Sequence, residues 1–315
     1  MVLAFLCIKV KEIDKNRIKY MTADNILPFQ IDNVTVKGRL VRLKDTLDEI
    51  INRHNYPEIV NNYLAEMIAL SAALSADAKY QGLFTLQISG DGPLRMMVVD
   101  MTTDGEVRAC AKYDQNALEI LVENKEPSLA QLFGVGCIVF TVDLADTDDR
   151  YQAVVDLSGT TLADCMHHFF RQSDQIQTGI VIVADVSKDA ETSSKYRAAA
   201  LILQKMPGLG GTSEELEQEA DDWFTDLSLL GTVTKKELLD IELPSKDLLY
   251  RLFSERGVSV YPERPVIARC SCSRERIEVI LNSFSEEDQR NMIIDEKIIV
   301  TCEFCSEVYE FESKN

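Results

Sequence analysis

Several things are scarce in this chain, and each shortage excludes something. No apolar run approaches the roughly 20 residues that a helix needs to cross a bilayer, so no membrane span is expected. Positive charge is short: 33 Lys and Arg stand against 52 Asp and Glu, a formal net charge of −19. A surface of that sign repels phosphate backbones, so nucleic acid is not an expected partner. The same repulsion keeps a protein soluble, together with any sticky partner it holds. No basic residues precede the apolar stretch 1–8, no small-residue cleavage site follows it, and Lys9 ends it early, so a signal peptide is not expected. Gly and Pro are modest at 14 and 8, and with 46% hydrophobic residues the composition is that of a globular protein. The length of 315 residues suits one good-sized domain and a smaller one. No nucleophile–base constellation stands out, and catalysis is not expected.

What is present is cysteine in an uneven distribution. Cys7, Cys110, Cys137 and Cys165 are scattered singly, whereas Cys270 and Cys272 form a C-x-C pair and Cys302 and Cys305 a C-x-x-C pair, with 29 residues between the pairs. Scattered single cysteines are not a secreted disulfide framework; the pattern suggests a reducing compartment, hence the cytoplasm. Two clustered pairs are the ligand set of a closed tetrahedral zinc site. They are also two dithiols, so the spacing leaves open a metal staple, a redox device or both. Four cysteines allow three pairings, and sequence alone does not choose among them.

Along the chain, strands are expected over 34–43, 83–89, 94–100, 107–113, 137–143, 151–157 and 179–186, from their alternation and their Gly-containing turns. Helices are expected from Thr46, with Glu49 at the capping-box position, from Pro57, and over 161–171. The second of these carries Ile59, Tyr63, Met67, Leu70 and Leu74 on one face. Residues 198–206 read equally as helix or strand. Strands and helices come in separate runs, so the class is α+β. The division expected is an N-terminal extension at 1–21 (Met21 being an alternative start), an antiparallel or mixed sheet domain with helices at 22–207, a helical linker at 208–264 and a four-cysteine module at 265–315.

The linker begins after a Pro-Gly-rich stretch at 207–211. Its helical part, 212–257, holds 12 acidic and 5 basic residues, a net of −7. Thr212 with Glu215 and Thr234 with Glu237 form capping boxes, and Ser245 is a third candidate cap. Leu216, Ala220, Phe224 and Leu227 form one apolar stripe beside Trp223, and Leu248, Leu249, Leu252 and Phe253 another. Self-repelling amphipathic helices of this kind are marginal unless a neighbour covers their apolar face. Beyond them, Ser273 and Ser285 cap two short helices, the first carrying Ile277, Ile280, Leu281 and Phe284. Strands at 297–301 and 308–311 flank Cys302 and Cys305 as a β-knuckle.

These residues together resemble the redox-regulated 33-kilodalton heat-shock chaperone family, bacterial holdases. The resemblance rests on 53–57 (Arg-His-Asn-Tyr-Pro), the hairpin at 82–100, the segments 150–157 and 169–176, and the cysteine motifs at 270–276 and 301–305, and it runs from about Ile26 to Phe311. It implies that Cys270, Cys272, Cys302 and Cys305 hold one zinc ion in a reduced, inactive form. Oxidation is then implied to form the disulfides Cys270–Cys272 and Cys302–Cys305, expel the metal and unfold the linker. The implied partners are unfolding client proteins, a second copy of the chain in the oxidised state, and an ATP-driven chaperone that receives the clients.

The chemistry is consistent with that expectation. A module of about fifty residues buries too little to fold unaided, and structural zinc supplies roughly 10–16 kcal/mol in small domains. Disulfides within each pair close only three- and four-residue segments and tie the two halves together no longer. Arg269, Arg274 and Arg276 are expected to moderate the charge of four thiolates and attract anionic oxidants. The alternatives are a constitutive zinc-stapled interaction module without redox control and a thioredoxin-like site at Cys302–Cys305. The latter needs its first cysteine at a helix N-terminus, where strand-like sequence stands instead. Cys165 with His168 is read as packing beside a surface histidine, His54 as a helix-end or packing residue and not a general base, Cys110 and Cys137 as buried, inert strand thiols, and the glycines at 90 and 92 as a hairpin turn.

Overall fold

The protein is described here by a computed structural model covering residues 24–31, 36–75, 81–123, 127–145, 147, 149–171, 176–186, 196–206, 213–295 and 297–312, with side chains 213–216 left aside. Residues 1–21 with Cys7, the stretch 207–211 and the Thr212 cap lie outside the described residues.

Two six-stranded sheets enclose one long helix. The first is antiparallel, in the order β10 (Val258–Val260), β1 (Asn25–Ile31), β2 (Val36–Leu43), β9 (Tyr196–Lys205), β8 (Thr178–Val186), with β11 (Arg264–Pro265) also on β1. The second runs β12 (Ile267–Ala268), β5 (Glu106–Tyr113), β4 (Leu94–Thr102), β3 (Gly82–Gly90), β6 (Gly136–Leu144), β7 (Arg150–Asp156). Its β12–β5 pair is parallel and the rest antiparallel. The ambiguous 198–206 run is strand β9. Its alternate residues Ala198, Ala200 and Ile202 join the inner core while Ala199, Leu201 and Leu203 line the opposite face. A strand buried on both faces has no polar alternation to read.

Helix α2 (Glu58–Ser75) lies between the sheets and is buried nearly all round, including Val60, Leu64, Ile68, Ala69 and Ala72. The single apolar face expected of it is therefore too narrow, because two sheets claim it rather than one. Helix α1 (Asp45–Ile51) is not capped by Thr46. The carboxylate of buried Asp24 accepts the Lys44 N–H at 2.7 Å and the Thr46 N–H at 2.5 Å, and Thr46 Oγ1 donates to Val266 O. A long-range cap of this sort leaves no local motif. Shorter helices α3 (Gln115–Val122) and α4 (Leu129–Phe133) join β5 to β6 within the second sheet, and α5 (Leu162–Phe169) connects β7 of the second sheet to β8 of the first.

The outer face of the first sheet is apolar, and helices cover it. α6 (Ser213–Leu230), α7 (Lys235–Leu239) and α8 (Ser245–Leu252) place Trp223, Leu230, Leu238, Leu248, Leu249 and Phe253 on Leu27, Phe29, Leu40, Leu201 and Leu203. Phe29 and Phe253 meet with ring centroids 5.9 Å apart. Gly38 makes room for that contact, since a Cβ there would lie 2.1 Å from Phe29 Cζ. Thr234 and Glu237 form the expected capping box. Ser245 makes no cap bond, and the N-cap of α8 is Pro244. In α6 the buried stripe is Trp223, Asp226 and Leu230, while Phe224 is 66% exposed, so the expected stripe is rotated by about one residue.

After α8, residues 258–268 run along both sheets as β10, β11 and β12 before the cysteine region begins. That region holds α9 (Arg274–Ser283), α10 (Glu286–Asn291) and a small sheet of β13 (Ile293–Ile294), β14 (Lys297–Thr301) and β15 (Val308–Glu312). Its core is slight: Leu281, Ile298 and Phe311 are buried. Ser273 and Ser285 cap α9 and α10 as expected, whereas Ile280 and Phe284 are exposed. Among the described residues no helix is long and apolar enough to cross a membrane.

Candidate metal centre

Cys270 and Cys272 sit on the extended segment that follows β12 and precedes the α9 cap, and Cys302 and Cys305 on the turn between β14 and β15. That turn is closed by Cys302 N–H donating to Glu307 O at 2.9 Å and Ser306 N–H donating to Cys302 O at 2.8 Å, with Ser306 at φ 59°. It is a knuckle with no helix after it, so neither cysteine stands at a helix N-terminus as a thioredoxin-like site would require.

The four Sγ atoms lie within 4.8 Å of one another. Cys270 and Cys302 approach to 3.7 Å, and Cys272 and Cys305 to 3.3 Å. A disulfide would bring a pair to about 2.05 Å, whereas four thiolates about 2.3 Å from one metal stand roughly 3.8 Å apart. The quartet therefore fits a tetrahedral metal cage and can hold a metal ion. Four sulfur donors with no open position favour a soft or borderline metal in a structural role.

Burial pushes the Cys270 thiol up, but hydrogen bonds from the Cys272 backbone and the other thiols outweigh it and bring it down to about 7. Burial pushes Cys302 and Cys305 up. Tyr309 donates its hydroxyl to Cys272 Sγ at 3.3 Å.

The main domain provides a seat for this centre. Arg108 on β5 is held by Asp100 at 2.7 Å, donates to Ser271 Oγ at 2.9 Å and lies 4.2 Å above the Phe304 ring. His54, at the end of α1, is stacked on Tyr56 with 4.6 Å between centroids. Its Nε2 lies 3.2 Å from Phe304 O and its Nδ1 3.3 Å from Ser306 Oγ. Burial lowers the His54 pKa, partly offset by the Phe304 carbonyl. His54 is thus the packing residue of the two roles expected of it, and Arg108 is the cation that sequence reading missed; nothing local shows that either faces a motif at the far end of the chain. The three arginines expected near the thiolates are already engaged. Arg269 pairs with Glu106, Arg274 donates to Glu310 O and covers Phe311, and Arg276 donates to Ser271 O.

Among the described residues, Cys110, Cys137 and Cys165 are not members of the quartet. Cys110 is buried as expected and its thiol pushed up to about 12 by desolvation, whereas Cys137, expected to be buried, is only half-buried. Cys165 is buried in α5, its Sγ accepting the Gly159 N–H, beside exposed His167 and His168. Among the described residues, the quartet is the group of such side chains placed to share a metal.

A two-sheet α+β body with an overlying helical layer and a terminal four-cysteine knuckle places the chain among α+β proteins that end in a four-thiol metal-binding module. Residues 24–312 match the family described as Hsp33 protein, and the chain belongs to that family. It is 36% identical over 291 residues to the "33 kDa chaperonin" of Caulobacter vibrioides, covering 92% of this chain and 95% of the relative. To the protein of the same name from Pseudoalteromonas atlantica it is 31% identical, with 93% of each covered. The crystal structure of the 33 kDa chaperonin of Thermotoga maritima superposes with a TM-score of 0.75 at 22% identity, over 92% of this chain and 95% of that one.

Proposed function

We propose that this chain is an ATP-independent holdase of the cytoplasm, held inactive by one zinc ion at Cys270, Cys272, Cys302 and Cys305 and switched on by oxidation of those thiols. The carrying observation is that the apolar outer face of the first sheet is closed by helices α6–α8, which belong to an acidic segment with little intrinsic stability. A surface of that kind, once uncovered, suits the exposed apolar segments of unfolding clients.

Bound zinc would supply the crosslink that the slight core of the module lacks. The chain's own part is to release it. The two thiolates of Cys270 and Cys272, and likewise those of Cys302 and Cys305, form one S–S bond, giving two electrons to one molecule of peroxide, which takes two protons from solvent and leaves as two waters. Bonds across the pairs would preserve a bridge over 32 or 33 residues; bonds within them preserve none. The module then loses its fold, the seat on His54 and Arg108 empties, and the strip 258–268 that leads back to α8 loses its far anchor. Oxidised chains pair as dimers and pass clients to an ATP-driven chaperone.

The test is aggregation of a heat-unfolding client, followed by light scattering with the reduced and the peroxide-treated protein, alongside release of zinc to a chromogenic chelator. Protection by the oxidised form alone, with zinc released in step, supports the switch. Equal protection by both forms rejects it in favour of a constitutive zinc-stapled binding module. Peptide mass mapping that joins Cys270 or Cys272 to Cys302 or Cys305 in a still-compact tail would reject the pairing.

A further inference from the structure

A cavity of about 260 Å³ opens between the two sheets beside the last turn of α2. Phe84 on β3 and Phe140 on β6 line it from the second sheet, and Arg39 on β2 and Gln204 on β9 from the first. Phe169 and Phe170, at the end of α5, complete an aromatic wall. Its rings form one run: Phe140 stacks on Phe169 with centroids 4.6 Å apart, Phe84 tilts against Phe140 at 6.4 Å, and Phe170 meets Phe169 edge-on at 5.1 Å. All four are buried, so packing fixes the wall. Aromatic walls receive aromatic rings, offset-stacked or edge-on. An apolar cavity of about 150 Å³ holds one benzene, so this one has room for a fused pair of rings or a ring with a substituent.

One polar group in the wall has a hydrogen bond to give. Gln204 is 7% exposed, and its Oε1 accepts from Arg39 Nη2 at 2.9 Å, diagonally across the β2–β9 pair. A guanidinium only donates, so this bond fixes which way the amide is turned and leaves Nε2 as its other end. Among the described residues nothing accepts from Gln204 Nε2, and that nitrogen is not sealed from solvent. Since the residue is otherwise buried and lines the cavity, the spare N–H opens into it.

Arg39 tunes this donor. It is 3% exposed, and burial lowers its pKa to about 10, which leaves it charged at neutral pH. Its pull on the Gln204 carbonyl polarises the amide and strengthens the N–H at the far end. A donor backed by positive charge and set among rings fits an anionic oxygen carried on an aromatic ring.

We propose that this cavity is a binding site for a small aromatic carboxylate. The ring packs on the four phenylalanines, and a carboxylate oxygen accepts from Gln204 Nε2. Both sheets contribute to the site, so an occupant ties them together beside the end of α2. The site involves neither the cysteines nor the sheet face beneath α6–α8, so it stands whether or not the thiols form a redox switch.

The test uses the full-length, thiol-reduced protein, titrated calorimetrically with 2-naphthoate and with acetate at fixed ionic strength. The expected result is saturable binding of one 2-naphthoate per chain, with acetate weaker by about tenfold or more. The melting temperature should rise with 2-naphthoate concentration. Gln204→Glu keeps an acceptor for Arg39 and puts a carboxylate oxygen where the donor stood, so it should weaken 2-naphthoate about tenfold or more. Ile176→Trp, at the half-buried rim, should fill the cavity and weaken it to a similar extent. Absence of saturable heat with 2-naphthoate, acetate binding as tight as 2-naphthoate, or binding undiminished in either folded variant overturns the proposal. Ile176 lies outside the Arg39–Gln204 bond, so that variant decides the matter if Gln204→Glu does not fold.

Discussion

Arg256 donates through Nε to Asp226 Oδ1 at 2.9 Å, across a separation of 30 residues. Asp226 is fully buried, and the same guanidinium reaches Asp222 at 2.8 Å through Nη1, so the clamp joins α6 to the turn that follows α8. Removing one partner of a buried pair strands the other and costs roughly 3–5 kcal/mol. Asp226→Ala and Arg256→Ala should each speed amide exchange in α6–α8 by about a hundredfold or more, and the double variant should be little worse than either. Additive losses would show that the two residues do not act as a unit.

Gly179 on β8 gives a second way to loosen the same layer. A Cβ there would lie 2.5 Å from Leu227 Cδ2 and 2.7 Å from Leu230 Cδ2. Gly179→Val is expected to push α6 off the sheet while the four thiols keep their metal. If the proposed function is right, this variant suppresses client aggregation in the reduced state, read by light scattering with zinc content measured in parallel.

The seat of the cysteine knuckle is tested by His54→Ala, which removes the contacts to Phe304 O and Ser306 Oγ. Metal stoichiometry should be unchanged, because His54 supplies no ligand. Metal loss to a competing chelator should become several-fold faster. An unchanged rate would mean that the knuckle holds its shape without the main domain.

If the quartet holds a metal as proposed, removing it should unfold the cysteine region first. Leu281, Ile298 and Phe311 are too small a core to replace a metal crosslink. Under reducing conditions a strong chelator should abolish amide protection in β14 and β15 while leaving that of α2 and β9 intact.

Glu66 on α2 sets a pH dependence. Burial raises its pKa from 4.5 to about 7, against a smaller opposing pull from Lys235. A carboxyl that holds its proton more tightly when folded contributes stability below its unfolded pKa, and that contribution is lost as pH rises through 7. The loss between pH 5 and pH 8 is on the order of 2–3 kcal/mol. Glu66→Gln should flatten the curve of melting temperature against pH in that window and stabilise the protein at pH 8.

Much of this architecture is legible in the sequence because the signals are local. The strand runs with Gly-containing turns are β3 to β7, and the Ser273 and Thr234 caps lie where their motifs fall. The four cysteines converge as their spacing suggests. Elements answering to distant partners are not legible. Asp24 caps α1 from outside it, α2 is buried nearly all round because two sheets enclose it, and the orientation of α6 is set by the sheet below, which selects Trp223 over Phe224. His54 and Arg108 belong to the centre by virtue of tertiary contacts with Phe304 and Ser271.

The short stretch 258–268 has a consequence for the order of events. It lies between α8 and Cys270, and it is stitched to β1 by Val258, Ser259, Val260, Arg264 and Pro265 and to β5 by Ile267 and Ala268. Disorder that starts at the sulfurs and spreads along the backbone must undo these few rungs, beginning with the two beside β5, before it arrives at the acidic helices. The strip is therefore a fuse of fixed length, and its handful of ladder bonds determines how large a disturbance the tail tolerates before the rest of the molecule responds.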